Sequence, residues 1–446
     1  MHWKLALAVS GALAASAVAL PAAAGSLATP ADPNLSTPAA DSPEVADLAR
    51  VRGISLDEAR MRIAWQTAAN RGRAEVQKAL GPAFSGLWID EDDGDRIKVA
   101  YSGTPNLSAV SSQLNKMGLG EASDLVPRST SFDHLQAVLS TAAAKVKAPN
   151  EGRQDQITVQ LNEKAGRIEI LLPQTASAAQ GKAADDIATD PTVVVKRVTE
   201  HTADFSCNTG AAGTTHALQC DPPLRGGILF HADHAVPGGT QMGSCTIGFN
   251  VTSKVDNAPY FLTAGHCFRL EGDTQPTLLG WSTYMFGGNN TTYYGFSGVH
   301  NAKIDSYGDY AIVPRNALYP VQASNWVAVL DRGDTTQNLA YPITDDFDAS
   351  VGTRVCFTGA YTRNTYCGSV TNSAYIGGTG VSYVATNVCN SGPGDSGGPI
   401  YASNTAYGVL YGERTDALGN PIPCTLLYSR ISGAEYKMNV NVVHAP

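Results

Sequence analysis

The sequence predicts a two-part chain: an α+β first half and an all-β, loop-rich second half folded as a barrel or sandwich. Three observations predict it. At 446 residues the chain exceeds the roughly 100–200 of a single domain. All eight cysteines lie from Cys207 onward. From about residue 205, short apolar stretches ("SCTIGFNV", "APYFLTAG", "TRVCFTGAY", "GDYAIV", "AYGVLYG") alternate with turns of Gly, Asn, Thr and Pro, the pattern of many short strands.

In chain order, residues 1–24 read as a signal peptide. Met1–Lys4 carries one Lys, Leu5–Leu20 is an apolar run rich in Ala, Val and Leu, and Pro21 breaks it before Ala22-Ala23-Ala24. A retained membrane anchor is the competing reading; the Ala-rich run and small-residue exit favour cleavage. Residues 25–44, rich in Pro, Ala, Ser and Asp, read as a linker.

Ser55 and Glu58 then form a capping-box pattern, with Leu56, Ala59 and Ile63 at helical spacing. Further helices are expected over Ala74–Leu80 and Phe132–Val146. Between them, Gly86–Tyr101 alternates polar and apolar residues around an Asp-Gly turn, and Ile157–Pro173 does so around Ala165-Gly166, so each reads as a β-hairpin. Residues 45–200 thus read as one cysteine-free α+β unit, ending somewhere in 175–206. The second domain, 205–446, is expected to take "LRGGILF" (Leu224–Phe230) as an early strand.

Net charge is −9 with no long basic run, which argues against nucleic acid as the main partner. Beyond the first residues no apolar run is long enough to span a bilayer. Eight cysteines (Cys207, Cys220, Cys245, Cys267, Cys356, Cys367, Cys389 and Cys424) in one region of an exported chain read as disulfides, and none has CxxC spacing. The simplest pairing joins neighbours in order, but sequence alone leaves connectivity open. These features point to a secreted, extracellular protein.

"NSGPGDSGGPIY" (Asn390–Tyr401) concentrates backbone freedom around Ser396. An ordinary turn would use the same residues. Acyl transfer by a serine needs more: an imidazole beside the hydroxyl, a carboxylate orienting it, and N–H donors for the oxyanion. The N–H groups of Gly394 and Ser396 can converge on one small volume. His266, in "LTAGHC", is the candidate imidazole. Asp309, in "SYGDYAIV", is the candidate carboxylate because a strand follows it at once; Asp305 is the runner-up. "HADH" (His231–His234) has no third ligand and reads as loop, so no metal or other cofactor is assigned.

"TAGHC", "GDYAIV" and "GDSGGP", in the order His, Asp, Ser, resemble the chymotrypsin fold, above all secreted bacterial proteases of the streptogrisin and α-lytic type. "FSGLWIDEDDGDRIKVAY" is similar to a hairpin of α-lytic-type propeptides. The resemblance implies an all-β double antiparallel β-barrel, six strands each, preceded by an α+β propeptide that assists folding, inhibits, and is cut off. It also implies His266 as general base, Asp309 as orienting carboxylate, Ser396 as nucleophile, and Gly394 and Ser396 as the oxyanion hole. The bridges it suggests are Cys245–Cys267, Cys356–Cys367 and Cys389–Cys424, with Cys207–Cys220 as an additional pair. Partners would be protein or peptide substrates and the chain's own propeptide, in a monomer.

The chain departs from that pattern in places. Tyr411, Gly412 and Glu413 occupy the strand edge where relatives often have Ser-Gly-Gly. Tyr411 either packs over the His266–Asp309 pair or weakens it. Glu413 either narrows or acidifies the specificity pocket, or is a solvated turn carboxylate paired with Arg414. Asn390, Gly392, Tyr411, Gly412 and Glu413 are the expected substrate-binding residues. Phe357 stands where relatives carry an Arg that serves Asp395, leaving Arg354 or Arg363 as substitutes. Tyr407–Leu410 contains no His, which argues against acidic side-chain specificity. A secreted serine endopeptidase is the main expectation; an inactive binding scaffold and a serine esterase are the alternatives.

Overall fold

The computed structural model describes residues 38–445 apart from 40–41, 151–155, 199, 205–223, 237–238, 287–292, 297, 316–322, 330–337, 378–379 and 417–420. The expected signal peptide, most of the linker, and Cys207 and Cys220 lie outside the described residues.

The first half contains helices α1 (Pro43–Arg52), α2 (Leu56–Arg71), α3 (Arg73–Leu80), α4 (Leu107–Lys116), α5 (Phe132–Asn150) and α6 (Ala178–Ile187). Ser55 caps α2 by accepting the Glu58 N–H, as the capping pattern leads one to expect. Sequence reading missed α1, α4 and α6. All three are ten-residue helices, and at that length packing rather than propensity holds a helix.

The strands of this half are β1 (Phe84–Asp90), β2 (Arg96–Ser102), β3 (Ser123–Arg128), β4 (Thr158–Asn162), β5 (Arg167–Pro173), β6 (Val193–Val198) and β7 (Glu200–Asp204). Both expected hairpins form, β1 with β2 and β4 with β5. Each turns on a glycine in the left-handed region, Gly94 (φ 65°) and Gly166 (φ 64°).

Among its described residues the second half is all β but for a short one-turn segment and one terminal helix. Its strands are β8 (Leu224–Gly226), β9 (Leu229–Val236), β10 (Gly239–Thr246), β11 (Phe249–Ser253), β12 (Pro259–Thr263), β13 (Trp281–Phe286), β14 (Tyr293–Phe296), β15 (Asn301–Asp305) and β16 (Gly308–Pro314). They continue through β17 (Ala323–Val329), β18 (Asn338–Pro342), β19 (Asp345–Asp346), β20 (Arg354–Gly359), β21 (Asn364–Ile376), β22 (Ser382–Thr386), β23 (Pro399–Ala402), β24 (Thr405–Asp416) and β25 (Pro421–Arg430). Helix α7 (Ile431–Met438) and β26 (Val440–Val442) close the chain.

Strands β10-β9-β13-β14 and β15-β16-β12-β11 form the two sheets of the first barrel. Phe230, Ile247, Phe261, Phe268 and Val313 fill it. Strands β20-β23-β24-β25-β22-β21 form the second, which closes on itself because β21 also pairs with β20. The fold is the double antiparallel barrel that the resemblance implied. One expectation is corrected: "HADH" is not loop but part of β9. His231 hydrogen-bonds Ser244 Oγ at 3.0 Å and His234 Nε2 lies 2.9 Å from the Leu279 carbonyl, so both rings are engaged by neighbouring chain.

The two halves share sheet and core. β4 adds to β21 in antiparallel register, extending the sheet of the second barrel into the first half. Trp88 of β1, 3% exposed, packs with Val351, Val355 and Phe357 in the core of the second barrel. Polar groups accompany the apolar ones: Asn70 donates to Thr353 Oγ1 (2.8 Å) and accepts the Ser350 N–H (2.9 Å), while Asp47 pairs with Arg354. Because Trp88 fills a closed core, Trp88→Ala leaves a cavity. The full chain should lose about 3–5 kcal/mol of stability, read as a lower urea midpoint, with the first half loosening from the second.

Candidate active site

The site forms where the barrels meet. After β12 the chain makes one 3₁₀ turn, Gly265–Phe268, which turns His266 inward. Asp309 is the second residue of β16 and is fully buried. Its carboxylate holds His266 twice. Oδ1 accepts the His266 backbone N–H at 2.9 Å, and Oδ2 meets ring Nδ1 in a short contact. Nε2 lies 2.8 Å from Ser396 Oγ. The structure thus brings together three side chains from positions 266, 309 and 396. Asp305, the runner-up, is elsewhere: it pairs with Lys437 Nζ at 3.0 Å on the surface.

Two close approaches make this possible. A Cβ at Gly265 would lie 2.6 Å from Asp309 Oδ1, so only glycine lets the carboxylate sit against the turn. Gly394 has φ 98°, and a Cβ there would press on Tyr361. Disulfides hold both flanks. Cys245–Cys267 ties the residue after His266 to β10, and Cys389–Cys424 ties the loop before Ser396 to β25. Cys356–Cys367 links β20 and β21.

Sequence reading missed the groups that hold these pieces. The Ser429 hydroxyl accepts the Asp309 N–H at 2.9 Å. Thr246 Oγ1 donates to the Gly394 carbonyl at 2.9 Å. A lone Ser on a strand or Thr at a strand end carries no local signal of such a role.

The loop before Ser396 is clamped by Asp395. Of the two cations expected to serve it, Arg354 does not do so: it is engaged with Asp47 and Ser369 Oγ, while Phe357 fills the barrel core with no exposure. Asp395 Oδ1 accepts the N–H groups of Tyr361 (2.8 Å) and Thr362 (3.0 Å), and Oδ2 accepts that of Gly392 (2.9 Å). Burial nonetheless pushes its carboxyl up to about 7, against the pull of those donors. Gly392, expected to bind substrate, therefore spends its N–H on Asp395.

Asn390 sits at an exposed turn with φ 66°. Tyr411 meets the His266 ring edge-on at 5.5 Å and stacks on Tyr383 at 4.1 Å, so it walls the imidazole. Gly412 is buried beside it. Glu413 is not a solvated turn residue. It is 6% exposed, accepts from Ser391 Oγ at 3.3 Å, and is pushed up to about 7 by burial. Arg414 instead lies over the Tyr375 ring. A cavity of about 250 Å³ opens on the other side of His266, lined by Gln241, Arg269, Leu270 and Trp281 among others. Among the described residues no cluster of three His, Cys, Asp or Glu could hold a metal.

Chemically, a hydroxyl bonded to an imidazole that is bonded to a buried carboxylate can act as a nucleophile toward a carbonyl. Gly265→Ala tests how finely this is set. The added methyl must displace Asp309 or the turn. The rate at which a fluorophosphonate labels Ser396 should fall about 10²-fold, measured by mass spectrometry over time.

Comparison with known proteins gives a consistent result. The Trypsin family profile matches residues 239–432. Streptogrisin-C of Streptomyces griseus is 25% identical over 414 residues, covering 90% of this chain and 75% of that protein. Serine protease 2 of Streptomyces fradiae is 33% identical over 175 residues, covering 38% of this chain and 87% of that protein. Among solved structures, Cellulomonas bogoriensis chymotrypsin is 25% identical over 50% of this chain and 98% of its own, with a TM-score of 0.33.

Proposed function

Because the chain belongs to the trypsin family of serine proteases, in its streptogrisin branch, and is a serine endopeptidase, we propose that Ser396, His266 and Asp309 are its catalytic residues. The observation that carries this is the unbroken chain of contacts from Asp309 through His266 to Ser396 Oγ. Ser396 Oγ attacks the substrate carbonyl and gives its proton to His266 Nε2. Asp309 keeps the ring in the tautomer with a proton on Nδ1 and stabilises the imidazolium that forms. The N–H groups of Gly394 and Ser396 meet the oxyanion. Collapse of the tetrahedral intermediate breaks the C–N bond, and His266 protonates the leaving amine. Water then attacks the acyl-enzyme by the same route in reverse.

We also read residues 45 to about 205 as a propeptide of an exported enzyme. The similarity to Streptogrisin-C spans 90% of the chain, so it takes in the helical half as well as the barrels. Strand β7, the last of that half, pairs antiparallel with β24, with Gly412 opposite Asp204 and Glu413 opposite Ala203. It lies on the strand edge next to Tyr411, where an extended substrate would lie, and so blocks the site. A processing point immediately after β7 follows from this, at the late end of the 175–206 window. A protein rich in non-local strand pairs folds slowly, and the sheet continuity from β21 to β4 offers a template for the second barrel.

The test uses the whole chain. Ser396→Ala should abolish fluorophosphonate labelling and lower casein hydrolysis by roughly 10⁴–10⁶-fold. It should also leave the precursor uncut, whereas the unmodified chain yields a fragment whose N-terminus falls among residues 205–207. Labelling at another residue, or cutting of the Ser396→Ala chain at the same rate, would overturn the assignment.

A further inference from the structure

Glu44 is a fully buried acid at the join of the two halves, and no catalytic step uses it. It is the second residue of α1, behind the N-cap Ser42. Its carboxyl ends against the turn between β23 and β24. Ser403 and Asn404 make that turn with positive φ (49° and 60°), the geometry of a two-residue hairpin. Glu44 Oε1 accepts the Ser403 N–H at 2.9 Å and the Tyr341 hydroxyl at 3.1 Å. The Tyr341 oxygen takes the Asn404 N–H at 2.9 Å, so the turn holds both donors in place.

The other oxygen is left short. Oε2 is buried and makes no hydrogen bond of normal geometry to any described residue. Ser42 Oγ and Ser403 Oγ are also buried without a partner. A charged carboxylate held away from water needs donors or a cation around it. A protonated one keeps its Oε1 contacts and has no charge to compensate.

No cation makes up the deficit. Among the described residues no Lys, Arg or His is paired with Glu44. On its own helix Asp47 pairs with Arg50 and with Arg354 of β20, and Arg52 pairs with Glu91 and Asp95. On α2, Arg60 pairs with Asp57, Arg62 with Glu58 and Asp95, and Arg71 with Asp345. Strand β21 carries no charged residue. The titratable groups facing Glu44 from the second half are the buried phenols of Tyr341, Tyr401 and Tyr407. Burial brings Arg354 down to about 10, so it stays charged below that. The start of a helix favours a negative charge, but burial outweighs it and raises the Glu44 carboxyl above the ordinary glutamate range.

Resting on the propeptide reading above, we propose that Glu44 is a proton-linked latch, which keeps the severed first half seated over the cleft in acid surroundings and releases it as they turn neutral or alkaline. Seating raises the affinity of Glu44 for its proton, so the protonated form favours seating. The hold is complete below the ordinary glutamate value. It is lost as pH rises through the higher value of the seated state. Release takes β7 off the edge of β24 and uncovers the site.

The experiment uses the chain after its own cut. Gel filtration at several values between about pH 5 and pH 8 follows the rate at which the first half separates from the barrels. Separation should quicken about 10- to 100-fold across that range, the effect of leaving one buried polar atom without its partner. Glu44→Gln keeps the shape and the Oε1 contacts without the charge. It should match the unmodified chain at the acid end and flatten the rise. The ion pairs Asp47–Arg354 and Arg71–Asp345 cross the same join in both chains and cancel in the comparison. Once the first half has gone the two proteases are the same molecule, so their kcat/KM must agree. A second measurement needs no cut. In the Ser396→Ala chain, urea midpoints with and without Glu44→Gln should lie close at the acid end and part at the alkaline end, the Glu44→Gln form being the more stable.

Separation that does not quicken toward alkaline pH, or quickens equally in the Glu44→Gln chain, overturns the latch and leaves the propeptide reading standing. Urea midpoints that differ equally at both ends overturn it too. A chain that is never cut, or whose first half stays seated at every pH while casein is hydrolysed, overturns the propeptide reading, and the latch as a control of activity with it.

Discussion

The double hold of Asp309 on His266 is the constraint around which the rest is arranged. One oxygen fixes the backbone of the turn and the other fixes the ring, so the imidazole has neither a free rotamer nor a free tautomer. Burying an acid and an imidazole together is costly unless each polar atom is satisfied. Here the surroundings provide that: Ser429 anchors the Asp309 backbone, Gly265 leaves room for the carboxylate, and Ser396 occupies the far ring nitrogen. The three residues come from three segments, so the site exists only when both barrels are closed and docked. The disulfide at Cys267 and the clamp at Asp395 keep the two contributing loops from drifting apart.

The same economy of satisfied groups governs the join between the halves. Trp88 enters the core of the second barrel, yet around it Asn70, Gln66, Glu163 and Asp47 each bond to a group of the second half. Glu44 is fully buried there and receives hydrogen bonds from Tyr341 and the Ser403 N–H. Burial raises its pKa despite those donors. A mixed interface of this sort is specific, since any shift in register leaves several of these atoms unpaired in a dry place. It is also separable, because each of these groups can find water once the halves part.

How much of this could be read from residues alone depends on the range of the signal. Short-range patterns were legible. The Asp-Gly and Ala-Gly hairpins, the capped helix at Ser55 and the motifs around His266, Asp309 and Ser396 carry their cues within a few positions. What failed was long-range. Nothing near Arg354 says that its partner is Asp47 rather than Asp395, since that choice is made by the docking of α1 on β20. Glu413 beside Arg414 looks like a surface pair in sequence. Strand alternation sends the two to opposite faces, one toward Ser391 and one over Tyr375. "HADH" looked like loop because its polar residues hide the alternation of a strand whose rings lean on neighbouring strands.

On the propeptide reading proposed above, the join of β4 to β21 would have a consequence for the enzyme once the first half is removed. Ala374, Tyr375 and Ile376 give one flank of their strand to residues 159–161 of the first half. Departure of that half bares a row of backbone donors and acceptors next to apolar side chains, which is the geometry that recruits strands from other molecules. The freed protease would carry an adhesive margin, and its tendency to self-associate at high concentration would trace to three residues remote from the catalytic cleft.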